Sequence, residues 1–316
     1  MKIMVTGGAG FIGSHVVDRF VEAGHEVVIV DDLSSGREGN LNSQAKFIRM
    51  DLRDPDLARV FEAERPEIVD HHAAQMDVRK SVLDPMFDAD VNVRGGLNLL
   101  ECARRYGSRK IIYASTGGAV YGEPEYLPCD EDHPIHPICP YGASKHIIED
   151  YLFMYRALYG LEYTVLRYPN VYGPRQDPYG EAGVVAIFTG RMLRGQPVTI
   201  NGSGEQERDF VFVGDCARAN ITAAEDGRRG IFNLGWGHGT NIIQIFRELK
   251  TITAYPDEPN YGPPKPGETF KIYLDASRAR EQLSWEPAVS LRDGLTQTVD
   301  YFRLSEGDFA PYPPRI

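Results

Sequence analysis

A short apolar stretch that runs directly into a glycine-spaced turn and then into a helical pattern restricts this chain more than any other feature. Residues 2–6 (KIMVT) read as a buried strand, and Gly7-Gly8-Ala9-Gly10-Phe11-Ile12-Gly13 follows without a break. Ile12, Val16, Val17, Phe20 and Val21 then recur on one face of a helix. Gly7, Gly10 and Gly13 have the spacing GxxGxxG. A tight turn, a backbone that approaches a pyrophosphate and a helix packed closely on its strand each call for a residue without a side chain. Most glycine clusters are only turns. The strand before this one and the helix after it make it a dinucleotide cradle.

The next strand, residues 26–30, ends in Asp31-Asp32, about 20 residues past the glycines. A carboxylate there meets the adenine ribose hydroxyls and repels a 2′-phosphate, so the expected cofactor is NAD rather than NADP. Asp32 also suits capping of the following turn. Further strands are predicted over 46–50, 67–74, 110–116 and 162–168, with helices between them over 87–106 and from Tyr141. Asp54-Pro55 is expected to open another helix as N-cap and first residue. This alternation predicts an α/β fold, a doubly wound parallel Rossmann sheet. Ligands of such sheets sit at the carboxyl ends of the strands, where Ser115, Thr116, Asn170 and the start of the Tyr141 helix fall. Residues 1–175 are read as the NAD-binding part and 176–316 as a smaller substrate-binding α/β portion. That portion has helices near 181–194, 214–225, 241–253 and 291–304 and short strands near 198–200 and 231–234, some of them returning to the main sheet.

Tyr141-Gly142-Ala143-Ser144-Lys145 puts a tyrosine and a lysine one turn apart on the same helix face. A free phenol ionises near pH ~10 and is a poor base at neutrality. A neighbouring ammonium favours the phenolate, so Lys145 is expected to lower the pKa of Tyr141. A tyrosine tuned in this way takes a proton from a sugar or alcohol hydroxyl. Pro140 suits the first position of that helix.

The charge balance excludes other classes. A net charge of −11 argues against nucleic-acid binding and requires a local basic pocket for any anionic ligand. No apolar run is long enough to span a bilayer, and the N-terminus lacks the apolar stretch of a signal peptide, so a cytoplasmic protein is expected. Cys102, Cys129, Cys139 and Cys216 have no zinc spacing and are expected to be free thiols; no metal site is predicted. Two proline-dense loops, 123–140 and 255–267, are too stiff for strand or helix and are either functional or plain surface connections.

Taken together, these segments resemble the extended short-chain dehydrogenase/reductase family, and within it the nucleotide-sugar 4-epimerases. The resemblance rests on VTGGAGFIGSH (5–15), DDLSSG (31–36), HHAAQ (71–75), DVNVRGGLNLLE with Asn92, ASTGGAVYGE (114–123), PYGASK (140–145), LRYPNVYGPRQ (166–176), RDFVFVGD (208–215) and SWEP (284–287). It implies that Phe11 and Ile12 lie along the pyrophosphate, that Asp31, with Asp32, Ser34, Ser35 and Gly36, holds the adenosine ribose, and that Asp51 and Leu52 flank the adenine. His72, Ala73, Ala74, Gln75, Asn92, Ser115 and Tyr168 would border the cofactor. Tyr141 would be the proton acceptor and Lys145 would hold the nicotinamide ribose. Asn170, Arg208 and Lys265 would grip a UDP diphosphate, Lys265 and Glu268 match the arginine and aspartate of the family's RPGD segment on the substrate side, and Ile272 would bound the pocket around C2 of the sugar. Where the family carries a serine or threonine three residues before the valine of VYG, this chain has Gly117. The candidate hydroxyls are Thr116 and Ser115, with Thr116 ahead. Gly117, Gly118 and Ala119 supply no acid, which argues against a 4,6-dehydratase. The implied activity is reversible NAD-dependent C4 epimerisation of a UDP-hexose, N-acetylated forms included. Its rivals are a 4-epimerase of UDP-glucuronic acid or a UDP-pentose, and a binding module without turnover. A homodimer is implied, with Leu97, Leu152 and Tyr155 as contacts.

Overall fold

The first strand, β1 (Lys2–Thr6), has Ile3, Met4 and Val5 fully enclosed. A strand that is apolar on both faces needs a layer on each side, and a parallel sheet between two helix layers supplies both. In the computed structural model, which describes residues 1–179, 183–225, 229–264 and 269–305, β1 pairs in parallel with β2 (Glu26–Asp31) on one side. β3 (Lys46–Arg49) extends that side, and β4 (Ile68–His71) pairs with β1 on the other. β5 (Lys110–Thr116) and β6 (Glu162–Tyr168) continue beyond β4. Five smaller strands follow: β7 (Asn170–Tyr172), β8 (Thr199–Asn201), β9 (Glu207–Arg208), β10 (Phe210–Phe212) and β11 (Gly230–Asn233). β11 returns to the main sheet, which runs β11-β6-β5-β4-β1-β2-β3 with every pair parallel. The chain order reverses between β1 and β4, and that switch point opens a crevice at the strands' carboxyl ends.

Helices cover both faces. α1 (Phe11–Glu22) lies on one. On the other, α2 (Leu57–Glu64) packs near a rod made of α3 (Val78–Leu83), α4 (Pro85–Ala89), a π-turn (Asp90–Arg94) and α5 (Gly95–Tyr106). α6 (Pro140–Tyr159) packs beside α5, with α7 (Val184–Leu193) in the C-terminal part. α8 (Val213–Glu225) pairs with α1, and α9 (Ile242–Thr253), α10 (Ser277–Leu283) and α11 (Leu291–Leu304) complete the set. The C-terminal portion is tied to the main core: Trp285, fully buried, joins Ile3, Val17 and Phe20 in one cluster and donates its indole N–H to Asp215 O at 2.8 Å. Beyond β10, β12 (Thr240–Asn241) and β14 (Lys271–Ile272) flank β9, and β13 (Asn260–Gly262) pairs with β8.

Three expectations change. Asp54-Pro55 does not open α2. Asp54 instead turns the chain by accepting the Asp56 N–H, and the helix starts two residues after Pro55, at Leu57. The fourth strand stops at His71, and residues 72–75 leave the sheet toward the crevice. The helix over 87–106 begins earlier, at Pro85, and is interrupted by the π-turn. π-turns mark places where one side chain is pushed out of register, here Asn92. Among the described residues no helix is long and apolar enough to cross a membrane.

Candidate active site

The glycine loop is shaped for a group that needs backbone contact. A Cβ on Gly13 would stand 2.2 Å from Gly7 O, and one on Gly7 would stand 2.6 Å from Ala73 N. The N-terminus of α1 has no side-chain cap and no acid in its first turn, so its N–H groups are left for an anion. Asp31 ends β2 with its carboxylate held by the Ala9 N–H at 3.0 Å and the Leu33 N–H at 2.8 Å. Burial raises its pKa against those two donors. Asp32 accepts the Ser34 N–H at 2.8 Å, so both acids stiffen the turn that carries Ser34, Ser35 and Gly36. A bare cradle at a helix start beside a fixed carboxylate fits the pyrophosphate and ribose of NAD. Asp51 is drawn into a bond with Arg53, which also holds Asp90 at 2.8 Å; Leu52, next to it, is buried.

At the carboxyl end of β5 the side chains part. Ser115 is buried and donates to Glu149 Oε1 at 2.5 Å, away from the crevice. Thr116, half-buried, faces the crevice beside the Tyr141 phenol, whose upward pKa shift it opposes. Gly118 is exposed, and a Cβ there would lie 3.8 Å from Thr116 Oγ1 and 3.9 Å from Asn170 Oδ1. Thr116 and Asn170 therefore meet around a step that has no side chain. Tyr141 is presented by the N-terminus of α6, where Cys139 is the N-cap, Pro140 the first residue, and Ser81 Oγ accepts the Tyr141 N–H at 3.2 Å.

The Tyr141–Lys145 pair departs from the expected electrostatics. Burial dominates at Tyr141 and pushes its pKa up, with Cys139 and Asp88 adding to the shift and Thr116 opposing it. The Lys145 ammonium lies 4.3 Å from the Tyr113 ring centroid, and burial brings its pKa down to about 7 against Glu149 and Asp88. Within the chain itself burial sets the direction of the phenol's shift, and the Lys145 ammonium lies on an aromatic face.

Two buried networks surround the pair. On the side of β5 and β6, burial would raise the Glu149 carboxyl, but hydrogen bonds from His146, Arg167 and Ser115 hold it down at about 2. Arg167 binds Glu149 through Nε at 3.1 Å and Nη2 at 2.6 Å, and donates to the Tyr121 hydroxyl at 2.8 Å. On the other side Asn92 clamps Gln75, its Oδ1 taking the Gln75 N–H at 2.8 Å. His72 stacks on Tyr168 with centroids 6.2 Å apart, and its Nε2 lies 2.9 Å from Asp70.

Arg208 pairs in register with Ile272 across β9 and β14, and its Nη1 donates to Glu207 O and Phe270 O. Asp209 O accepts the Asn170 N–H at 2.9 Å, so Asn170 lies beside the residue that follows Arg208, where β10 pairs with β7. Ile272 is buried with Val120, Tyr121 and Leu274 in a wall beside β5. Lys265 and Glu268 lie outside the described residues. The proline-dense loop 123–140 is a stitched connection: the Cys129 N–H donates to Tyr273 O and Cys129 O accepts from Asp275. Sequence reasoning missed Asp88, Glu149 and Asp209. Glu149 stands one turn after Lys145 and Asp88 one turn before Asn92, a spacing that marks shared helix faces.

Residues 3–235 match the NAD dependent epimerase/dehydratase family. The chain belongs to that family. It is 48% identical over 301 residues to a putative UDP-glucose 4-epimerase of Methanocaldococcus jannaschii, covering 95% of this chain and 98% of the relative. A UDP-glucose 4-epimerase of Thermotoga maritima, solved with UDP-glucose, superposes with a TM-score of 0.94 at 53% identity, over 97% of this chain and 100% of the other. The UDP-glucose 4-epimerase of Thermus thermophilus in complex with NAD gives a TM-score of 0.91 at 44% identity, over 96% and 99% of the two chains. In this epimerase/dehydratase chain the glycine cradle opens at the crevice between β1 and β4, and Gly117, beside Thr116 and Gly118, abuts Leu274 of the C-terminal portion.

Proposed function

We propose that this chain catalyses the reversible NAD-dependent epimerisation of a UDP-hexose at C4. The observation that carries the reading is the open Gly118 step between Thr116 and Asn170, with the Tyr141 phenol beside Thr116, next to the cradle of Gly7, Gly10 and Gly13. The glycine loop and the start of α1, with Phe11 and Ile12, would hold the pyrophosphate, Asp31 the ribose, and Gln75, Asn92 and Lys145 the nicotinamide half. Bound there, NAD would supply a hydride acceptor and donor for C4 and a cationic ring that favours the Tyr141 phenolate. Tyr141 takes the proton of the 4-hydroxyl and gives it back, while Thr116 orients that oxygen. The 4-keto sugar has to present both faces in turn, and the Gly118 step leaves room for it to swing. Asn170 and Arg208 hold the diphosphate meanwhile. Ile272 in place of a large ring extends the proposal to N-acetylated hexoses.

Purified protein incubated with UDP-glucose, UDP-N-acetylglucosamine or UDP-glucuronic acid, without and then with added NAD, tests the reading. The C4 epimer of UDP-glucose supports it. Turnover of the uronic acid alone moves the substrate class, and silence in every arm leaves a binding module. No turnover of the N-acetyl sugar beside turnover of UDP-glucose removes that extension.

We also propose a homodimer built on α6. Leu152 and Tyr155 do not serve it, because both are buried in the protomer core. The outward stripe is Ile147, Met154 and Leu158, which are 40%, 40% and 69% exposed and stand one or two turns apart. Four free cysteines fit a reducing cytoplasm.

A further inference from the structure

Asp88, on α4, is 1% exposed. Its Oδ1 accepts from Gln75 Nε2 at 2.9 Å and from Asn92 Nδ2 at 3.2 Å. Its Oδ2 is buried and meets no hydrogen-bond partner among the described residues. Asn92 Nδ2 also reaches Gln75 O at 3.0 Å and Ser144 Oγ at 3.1 Å, and Ser144 in turn donates to Tyr141 O at 3.0 Å. Contacts thus run from Asp88 through Asn92 and Ser144 to the helix turn that carries Tyr141.

A neutral acceptor would satisfy the two amide donors on Oδ1. A carboxylate buried without a charge partner is costly, so its retention asks for a cation nearby. The buried cation within its field is Lys145. The titratable groups that face Lys145 are Glu149 on its own helix, Asp88 on α4, Tyr113 on β5, and His71 on β4, which burial and Lys145 keep neutral. Those that face Asp88 are Lys145, Tyr141, Tyr113 and Cys139.

We infer that Asp88 is a positioning residue for the reaction: it clamps Gln75 and Asn92 and, from behind α6, sets the charge balance of the Tyr141–Lys145 pair. The inference rests on the proposed epimerisation. Its field raises the pKa of both groups, so removing its charge makes the phenolate easier to form and the ammonium easier to lose.

The test is the pH profile of kcat for D88N, which keeps volume and an acceptor oxygen but not the charge. Both limbs are expected to move to lower pH, by roughly half a unit to one unit. D88A, which also loses the clamp, should in addition lower kcat about tenfold across the pH range. If D88N does not fold, D88S reads the same displacement. A fall in melting temperature with a profile that overlays the wild type, or a shift of one limb only, overturns the inference and leaves the epimerisation standing. A wild-type protein that epimerises none of the UDP-sugars overturns both.

Discussion

A Cβ on Gly117 would stand 2.3 Å from Leu274 Cδ1 and 2.9 Å from Cδ2. Leu274 is 1% exposed and closes the wall formed with Val120, Tyr121 and Ile272. The missing hydroxyl at 117 is therefore the counterpart of a filled space. G117S should destabilise the protein by about 1–3 kcal/mol through overpacking. Pairing it with L274A should recover most of that loss, because the added atoms enter the space left by the leucine. Thermal melts of the two single variants and the double variant complete the cycle. Simple additivity of the two losses would show that the contact is not the reason for glycine.

Neighbouring hydroxyls should fail differently. T116A removes the hydroxyl beside the Tyr141 phenol and should lower kcat about 10²–10³-fold with little change in melting temperature. S115A removes a buried bond to a charged carboxylate and should cost about 1.5–3 kcal/mol of stability. Its effect on kcat should stay within roughly tenfold. Equal losses of kcat in the two variants would put both hydroxyls on the substrate.

Asp209 gives a pH dependence with a definite sign. The side chain is 1% exposed and takes N–H groups from Trp236, Gly237 and Leu274, yet burial outweighs them and raises its pKa from 3.8 to about 6. The folded state then holds this proton more tightly than the unfolded one. Its contribution is present below pH about 4 and is lost as pH rises through about 6. The span is roughly 3 kcal/mol at most. Denaturant melts from pH 4 to 7 should show D209N losing less stability over this window than wild type. Parallel curves for the two proteins would assign the slope to other groups.

The sequence was most legible where one local pattern decides the outcome. Strands 110–116 and 162–168 are found at their expected bounds because their apolar runs end at charged or glycine-bearing loops. The glycine cradle was readable because its backbone needs no distant partner. What stayed hidden depends on residues far apart in the chain. Nothing local says that Gly117 abuts Leu274, that Ser115 turns to Glu149, or that Lys145 lies on the Tyr113 ring. Leu152 and Tyr155 show the same limit. An apolar residue on an amphipathic helix can face the protomer core or a second chain, and only packing distinguishes the two.

That distinction gives a test of assembly. Met154 and Leu158 lie one turn apart on the outer stripe of α6, with Ile147 two turns before Met154. An arginine at Leu158, which is 69% exposed, touches nothing that the folded protomer needs. L158R should therefore leave the melting temperature of a monomer nearly unchanged, while placing like charges opposite each other wherever two copies meet across a two-fold axis. Light scattering coupled to size exclusion should show the wild type at twice the chain mass and L158R, or M154R with L158R, at the chain mass of 35.3 kDa. L152R is the contrasting variant: Leu152 is 1% exposed, and a buried arginine there should unfold the protomer rather than separate a dimer. If L158R and M154R both stay at the wild-type mass, α6 is not the seam. The exposed apolar residues of α3 and α4, Val82, Leu83 and Met86, then become the surface to substitute.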